Sequence, residues 1–209
     1  MKKLVIERMV LGMTQTNCYY VYSDGAEECL VFDPAERGAA IFDKIKAKGL
    51  RVAAILLTHG HFDHIGGADE LRSLSGAKIY ALKDEQAVLE DPRKNATVMV
   101  GVPYTLAADI FVKDAEVLSL AGLDINVIAT PGHTIGGACY HFADHGVLFS
   151  GDTLFQGSVG RSDLPSGDSD SLVASIRRRL FTLADDTQVY PGHGGATTVG
   201  EEKRHNPFV

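Results

Sequence analysis

The first third of the chain alternates short apolar runs with a helical pattern. Three β-favouring runs come first, at residues 4–10, 17–23 and 28–33. The third run ends in Asp33-Pro34, a dipeptide that marks a turn. Ile41 and Ile45 then recur at helical spacing, and Gly49 closes the helix that this pattern predicts over residues 36–49.

A continuous apolar run, "VAAILLT" at residues 52–58, follows this helix. An unbroken run of this kind favours a strand that is buried on both faces. The run leads directly into "HGHFDH" at residues 59–64, after which apolar side chains recur at helical spacing, at Ile65, Ala68, Leu71 and Leu74. The sequence therefore predicts a buried strand, a histidine-rich loop and a helix in succession.

The second half repeats the order of strands followed by a helix. Four apolar runs predict strands, "AEVLSL", "INVIAT", "GACYHF" and "GVLFSGD", and a loop rich in glycine and serine follows at residues 155–168. The next helix has its apolar side chains on one face, at Leu172, Ile176, Leu180 and Leu183. "TQVYPGHGG" predicts a short strand that runs into a loop, and Thr198 with Glu201 fits a capping box for a last helix.

The order of these elements indicates two sheets packed face to face, with helices on their outer faces. No linker is long enough to divide the chain, and no short-period repeat occurs. With 209 residues, of which 45% are hydrophobic and 22% charged, the composition is that of a globular protein with a core. We therefore expect residues 1–209 to form a single domain.

Charge, hydropathy and cysteine content narrow the classes of function. The net charge of −7 argues against a nucleic-acid partner, and the densest basic run, Arg177-Arg178-Arg179, fits the solvated face of a helix. No apolar stretch approaches the roughly 20 residues that span a bilayer, and the N-terminal segment lacks the features of a signal peptide. Three scattered cysteines predict buried, reduced thiols, at Cys18, Cys29 and Cys139. The sequence thus predicts a cytoplasmic protein with no nucleic-acid or membrane partner, and a homo-oligomer is compatible with it.

Three of the eight histidines and an aspartate lie within six residues, at His59, His61, Asp63 and His64. In an extended chain His59 and His61 point to the same side, so both can bind one ion. Asp63 and His64 are adjacent, so their side chains diverge. Four ligands from six consecutive residues would strain a single site, whereas two neighbouring ions could use all of them. Clustered imidazoles without a metal would repel one another on protonation, which favours a metal site.

Three further candidate ligands each follow an apolar strand directly. His133 and His193 lie in Pro-Gly turns, and Asp152 ends the run "LFSGD". Adjacent glycines let backbones approach closely, and loops at strand ends often carry functional side chains. Taken alone, such a histidine is more often solvated, and such an aspartate more often caps a turn. The remaining histidines lack these surroundings and are expected to be ordinary surface or core residues: His141, His145 and His205.

The string His-x-His-x-Asp-His, followed by single His, Asp and His residues in glycine turns, resembles the metallo-β-lactamase superfamily. The similarity extends from "TNCYYV" near the start to the last histidine turn. It implies an α+β fold, a four-layer αβ/βα sandwich, with a two-metal site along one edge of the paired sheets. Asp152 and the stretches "GSVGRSDLP" and "TTVGEEKRHNPF" are similar to a small glyoxalase II-like (hydroxyacylglutathione hydrolase-like) branch.

This resemblance also implies a ligand set and a reaction. One ion would bind His59, His61 and His133, the other would bind Asp63, His64 and His193, and Asp152 would bridge the two. Imidazole and carboxylate ligands suit Zn²⁺, with Fe and Mn as alternatives. Two metals lower the pKa of a shared water from 15.7 to ~7, and the resulting hydroxide would attack a substrate carbonyl. A thiol has a pKa near ~8.5, so a thiolate leaves without a general acid, which is compatible with an anionic thioester substrate.

The loop after Asp152 contains two candidate substrate-binding residues, Ser158 and Arg161. In glyoxalase II the equivalent region holds the substrate, and a guanidinium can bind a carboxylate through two parallel hydrogen bonds. We therefore expect Arg161 to bind a substrate carboxylate. The alternative, supported equally well, is a structural arginine paired with Asp163 or with a carbonyl.

Other functions compete with thioester hydrolysis. Full-length glyoxalase II has an additional helical domain that contacts glutathione, whereas 16 residues follow His193 here, which leaves glutathione recognition open. Persulfide dioxygenases share the fold and the histidine string but bind one iron. A β-lactamase of this fold usually has cysteine where Asp152 stands, and an RNA-processing nuclease would have a more basic surface. A non-enzymatic metal-dependent binding or electron-transfer module is the last alternative.

Overall fold

Two six-stranded sheets pack face to face within residues 2–209, the part of the chain that the computed structural model describes. The strands of the first sheet lie in chain order: β1 (Leu4–Leu11), β2 (Thr16–Ser23), β3 (Glu28–Phe32), β4 (Arg51–Leu56), β5 (Lys78–Leu82) and β6 (Ile110–Val112). The second sheet has the order β14 (Thr197–Thr198), β13 (Gln188–Pro191), β10 (Val147–Gly151), β9 (Ala138–Phe142), β8 (Leu123–Ala129) and β7 (Val117–Leu120). A separate hairpin consists of β11 (Leu154–Phe155) and β12 (Ser158–Val159).

Helices cover the outer face of each sheet. Those against the first sheet are α1 (Gly38–Ala47), α2 (Phe62–Ile65), α3 (Ala68–Ser75) and α4 (Gln86–Leu89). Against the second sheet lie α5 (Ser169–Ser175), which continues as a π-helical segment over Ile176–Leu180, and α6 (Val199–His205). The layers therefore follow the order helix, sheet, sheet, helix, and the four-layer αβ/βα sandwich of the α+β class is confirmed.

The parallel pairing of strands determines where the loops meet. β3, β4, β5 and β6 pair in parallel in the first sheet, and β10 pairs with β13 in parallel in the second. Parallel neighbours end at the same edge of a sheet, so the loops after them lie side by side. The loop after β4 in the first sheet and the loops after β10 and β13 in the second sheet lie together at one edge of the sandwich.

Alternating side chains in the central strands fill two cores at once. In β3, Leu30 and Phe32 belong to the core between the sheets, whereas Cys29 and Val31 pack against the helices. The rings of Phe32 and Phe149 stack across the sheets with their centroids 4.4 Å apart. Because both faces of these strands are buried, their sequences are continuously apolar, as predicted for residues 52–58.

The predicted helix after the histidine string is two helices, α2 and α3, separated by Gly66 and Gly67. A Cβ at Gly66 would lie 2.5 Å from the carbonyl oxygen of Ala35, and one at Gly67 would lie 2.9 Å from that of Pro34. The loop after β3 therefore packs directly onto this break. The prediction of one helix was wrong because apolar spacing does not reveal a backbone contact with a distant loop.

Several smaller predictions are confirmed. The Thr198 hydroxyl accepts a hydrogen bond from the Glu201 amide at 3.1 Å, which caps α6. All three cysteines are buried free thiols, and burial raises the pKa of Cys29 to about 12 and that of Cys139 to about 11. Within residues 2–209, no helix has the length and apolar character needed to cross a bilayer.

Candidate metal centre

Seven side chains with metal-binding chemistry converge at one edge of the sandwich. All lie in the segments that follow strands: the string at residues 59–64 after β4, with Asp63 and His64 on the first turn of α2, and single residues in the loops after β8, β10 and β13. The structure brings together every residue of the predicted ligand set: His59, His61, Asp63, His64, His133, Asp152 and His193. None of the predicted ligands lies elsewhere.

Three buried imidazoles form the first group. The Nε2 atom of His133 lies 2.9 Å from Nδ1 of His61 and 3.2 Å from Nε2 of His59. Three ring nitrogens that face a common point in this way can bind one cation through their lone pairs. The pairing of His59 with His61 follows the two-residue spacing that the sequence indicated.

The second group consists of Asp63, His64 and His193. The Nε2 atom of His193 lies 3.4 Å from Nε2 of His64 and 3.4 Å from Oδ2 of Asp63. Candidate ligand atoms of these three residues all lie within 4.8 Å of one another. One carboxylate and two imidazoles thus face a second point beside the first.

Asp152 lies between the two groups. Its Oδ1 atom is 3.3 Å from Nε2 of His64, and its Oδ2 atom is 3.4 Å from Nε2 of His193 and 3.7 Å from Nε2 of His133. A carboxylate with contacts to both groups has the position that a bridging ligand requires.

Hydrogen bonds behind four of the rings fix their orientation. Nδ1 of His64 lies 2.9 Å from Oδ2 of Asp33, and Nδ1 of His59 lies 3.1 Å from the Thr58 hydroxyl, which itself donates to Asp33 at 2.7 Å. The Nδ1 atoms of the other two rings donate to backbone carbonyl oxygens, His133 to Arg161 at 2.6 Å and His193 to Thr14 at 3.1 Å. Because Nδ1 of each of these rings makes the hydrogen bond behind it, Nε2 is the atom that faces the site.

Close backbone contacts hold the loops in place. A Cβ at Gly192 would lie 2.3 Å from Oδ1 of Asp152, and one at Gly151 would lie 2.2 Å from Oγ1 of Thr58. The side chain of Asn17 donates to the carbonyl oxygens of Pro191 at 2.9 Å and Gly194 at 3.1 Å, on either side of His193. Gly192 is therefore needed because a side chain there would fill the site, and Gly151 because a side chain there would collide with Thr58.

Burial keeps three of the imidazoles neutral. Removal from water, together with the neighbouring rings, lowers the pKa of His61 to about 3 and the pKa of His59 well below its ordinary value. Burial likewise lowers the pKa of His133. At neutral pH these rings have free lone pairs, which is the form that binds metals.

The carboxylates have the opposite effect on the second group. Burial opposes protonation of His64, but the charges of Asp152, Asp33 and Asp63 outweigh it and raise the His64 pKa well above its ordinary value. Hydrogen bonds to Asp152 and Asp63 likewise outweigh burial and raise the pKa of His193 to about 9. Burial alone would raise the pKa of Asp63, yet His64 and His193 lower it to about 2. The carboxylates are thus ionised and attract positive charge.

One unpaired buried atom fits a bound cation. Within residues 2–209, only three buried side-chain nitrogen or oxygen atoms lack a hydrogen-bond partner, and two of them belong to residues of this site: Nε2 of His61 and Oδ1 of Asp152. His61 faces the first group through Nδ1, so its Nε2 is not the ligand atom there. A buried carboxylate oxygen without a partner is costly unless an unseen ligand satisfies it, so Oδ1 of Asp152 fits a bound cation. Five imidazoles and two carboxylates suit divalent cations that accept nitrogen and oxygen ligands.

The site opens into a cleft of about 420 Å³. Phe62, Phe155 and Leu164 form its apolar walls, and Arg161 lies at its mouth. The Arg161 guanidinium makes two hydrogen bonds to the carboxylate of Asp163, at 2.7 and 2.8 Å. This is the structural pairing that the sequence left as an alternative. Ser158 lies on β12 and is not part of the cleft lining.

Two buried acids support the site but were missed by the sequence analysis. Asp33 holds the rings of His59 and His64 as described above. Glu85 accepts hydrogen bonds from the Gly60 amide at 2.7 Å and from the Gly136 amide and Thr134 hydroxyl at 2.9 Å each. It thereby connects the loop after β4 to the loop after β8, and burial raises its pKa to about 7.

Comparison with known proteins identifies the family. The model of the metallo-beta-lactamase superfamily matches residues 11–193, which include all seven candidate ligands. The chain belongs to this superfamily. The resemblance stated from the histidine string and the glycine turns is therefore confirmed.

Two curated members of the superfamily match along almost their whole length. The probable metallo-hydrolase YqgX of Bacillus subtilis is 40% identical over 97% of this chain and 96% of its own. The hydroxyacylglutathione hydrolase GloC of Haemophilus influenzae is 34% identical over 98% of this chain and 97% of its own. Metal-dependent hydrolysis is the activity class that these relatives support.

Two solved structures share the complete architecture. The crystal structure of the B3 metallo-beta-lactamase BLEG-1 superposes with a TM-score of 0.92 at 40% identity, covering 98% of this chain and 99% of that one. The crystal structure of TTHA1623 in a di-iron-bound form superposes with a TM-score of 0.85 at 33% identity, covering 97% and 100%. This chain therefore has the fold of metal-binding members of the superfamily.

Proposed function

We propose that this protein hydrolyses thioesters with a pair of divalent metal ions bound by the seven converging side chains. The observation that supports it most is the position of Asp152 between two groups of ligands, with contacts to both. The 34% identity to a hydroxyacylglutathione hydrolase over almost the whole chain favours the same substrate class.

In this proposal one ion is held by His59, His61 and His133, and the other by Asp63, His64 and His193, with Asp152 as the bridge. Zn²⁺ is the first choice for such nitrogen and oxygen ligands, and Fe and Mn are the alternatives. The di-iron form of TTHA1623 supports the iron alternative. The bound ions would supply a water of lowered pKa, ~7, as the nucleophile and a positive centre that polarises the carbonyl.

The residues of the chain position the substrate and set the charge of the site. Asp63 and Asp152 remain ionised and offset part of the charge of two cations. Phe62, Phe155 and Leu164 limit the access of water to the cleft. The hydrogen bonds from the rings to Asp33 and to the backbone keep the ligands in one orientation, so little reorganisation is needed when substrate binds.

The cleft also suits a leaving group that needs no proton. Apart from the candidate ligands, Arg161 is the only ionisable side chain among the described residues that line it. An arginine does not act as a general acid at neutral pH, because its pKa exceeds ~12. A thiolate leaves without protonation at neutral pH, whereas an amine or alkoxide does not. A thioester is therefore the acyl substrate that this cleft fits best.

Arg161 is proposed to bind an anionic end of the substrate. Its side chain is largely exposed at the mouth of the cleft, so its pair with Asp163 can be exchanged for a substrate carboxylate at little cost. For Arg161→Ala we expect a raised KM for anionic thioesters and an unchanged KM for neutral ones. An unchanged KM for both would exclude this role. The role of Ser158 stays a prediction.

β-Lactam hydrolysis is the second candidate, because the B3 metallo-beta-lactamase BLEG-1 is 40% identical with a TM-score of 0.92. A panel of substrates on metal-analysed protein separates the candidates: anionic thioesters, a chromogenic cephalosporin, and glutathione persulfide with oxygen consumption. We expect thioester hydrolysis that disappears in Asp152→Ala and persists in Asp144→Ala, an exposed control. β-Lactam turnover alone would favour the second candidate, and oxygen consumption with one iron per chain would favour a persulfide dioxygenase.

A further inference from the structure

A second depression, of about 290 Å³, lies beside the candidate metal centre. Thr14, Phe62 and Asp63 line both this depression and the cleft of the metal centre, so the two spaces are adjacent. We call this depression the apolar groove and define it by Met13, Phe62, Val100, Val102 and Tyr104. We propose that the apolar groove binds an uncharged, apolar acyl chain of the thioester substrate, an inference that rests on the proposed function.

Exposed apolar side chains distinguish the apolar groove from ordinary surface. Met13 is 86% exposed at the tip of the hairpin between β1 and β2, and across the groove Val100 and Val102 are 42% and 68% exposed. Clustered apolar side chains in a concave site next to a reaction centre are typical of a substrate pocket.

The hydroxyl groups of Tyr104 and Thr97 in the groove wall are already satisfied within the protein. The hydroxyl of Tyr104 donates to Asp69 at 2.6 Å, and the hydroxyl of Thr97 donates to Asn95 at 2.8 Å. These bonds leave the ring of Tyr104 as the available surface. A ligand therefore gains contact with carbon atoms there and few new hydrogen bonds.

Charge decides which end of the substrate fits the apolar groove. Among the described residues that line it, the only ionisable side chains besides Tyr104 are Glu36 and Asp63, both acidic, and Asp63 also lines the main cleft. Cationic side chains line the neighbouring spaces instead, Arg161 the main cleft and Arg8 a recess next to His193. An anionic thiol portion is thus repelled from the apolar groove and attracted to the other side. The acyl portion is the part that remains for the groove.

Two substrate series test this assignment. In the first, acetyl, butyryl and hexanoyl groups are joined to one anionic thiol, 3-mercaptopropionate; in the second, acetyl is joined to alkyl thiols of increasing length. We expect kcat/KM to rise about two- to four-fold per methylene in the acyl series, since each buried methylene contributes ~0.8 kcal/mol. A flat acyl series, or a rise in the thiol series alone, would overturn the assignment.

Variants locate the effect. Val102→Asp and Met13→Asp should flatten the acyl series, because a charged side chain in the apolar groove removes the gain from each added methylene. Val117→Asp, at a 55% exposed position on β7 in the other sheet, should leave the series unchanged. If kcat/KM rises equally with acyl-chain length in Val102→Asp, Met13→Asp and Val117→Asp, the proposal is contradicted.

A binding measurement separates this inference from the proposed function. Titration of the metal-free protein with 1-hexanol, followed by backbone amide NMR, should shift resonances of residues 12–14 and 97–104, and the shifts should be reduced in Val102→Asp. If these resonances do not shift, the apolar groove does not bind apolar chains, and the proposal is overturned even if the protein hydrolyses thioesters. Shifts with no hydrolysis of any thioester would instead overturn the proposed function.

Discussion

Nδ1 of His64 lies 2.9 Å from Oδ2 of Asp33, and the same oxygen accepts a hydrogen bond from the Thr58 hydroxyl behind His59. One buried carboxylate therefore orients a candidate ligand in each of the two groups. Asp33 itself adopts a left-handed backbone conformation, φ 48°, which aspartate and asparagine tolerate better than other non-glycine residues.

Replacement of Asp33 by asparagine should weaken metal binding without disturbing the backbone. An amide nitrogen in place of Oδ2 cannot accept both hydrogen bonds, so the two rings lose their fixed orientation. We expect zinc affinity to fall about 10- to 100-fold, measured by competition with a chromogenic chelator. Asp24→Asn, at an exposed position, is the matched control and should bind zinc like the wild type.

Replacement of Glu85 by alanine should destabilise the protein. Two buried amides, of Gly60 and Gly136, would lose their acceptor, and each unsatisfied donor costs about 1–3 kcal/mol. Urea unfolding of the metal-free protein should therefore show a loss of about 2–6 kcal/mol. The exposed Glu90→Ala should change stability by less than about 0.5 kcal/mol. Equal stability of these two variants would show that Glu85 does not connect the loops.

The stability of the metal-free protein should reach its maximum near pH 6.5, the ordinary pKa of histidine. His61 has a folded pKa of about 3, so its contribution is present above pH 6.5 and is lost as the pH falls. His193 has a folded pKa of about 9, so its contribution is present below pH 6.5 and is lost as the pH rises to 9. Burial of Glu85 makes stability fall as the pH rises from 4.5 to about 7. Burial lowers the pKa of His59 and His133 as it does that of His61, so all three make stability rise with pH towards 6.5, and together they outweigh Glu85.

Chemical unfolding across pH 4–9 measures this profile. His193→Gln should make the alkaline decline in stability shallower, and the part of the decline due to His64 should remain. Stability that increases steadily up to pH 9 would contradict the assigned charge states.

The candidate ligands could be found from the sequence because the string at residues 59–64 and the three single residues all follow apolar strands, and most of the ligands have glycine beside them. The order of apolar runs then placed these residues at strand ends, where parallel pairing brings them together. Asp33 has the same signal, because it directly follows β3, the strand next to β4. The proline after it, Pro34, indicated only a turn. A comparison of the ends of adjacent predicted strands could have identified it.

Other features depend on contacts between distant segments and leave no local signal. Glu85 lies 25 residues from Gly60 and 51 from Gly136, and nothing in its neighbours indicates a buried acid. The break between α2 and α3 depends on the packing of the loop at residues 34–36. The apolar groove combines the β1–β2 turn with residues 97–104, which the sequence patterns did not assign to an element.

Metal stoichiometry distinguishes a two-metal site from a single-metal site. Native mass spectrometry of metal-free protein titrated with zinc, for the wild type and Asp152→Ala, counts the ions bound per chain. We predict about two ions per wild-type chain and weaker binding of the second ion in Asp152→Ala. A wild-type chain that saturates with a single ion, or an Asp152→Ala chain that binds both ions as tightly as the wild type, would contradict this prediction.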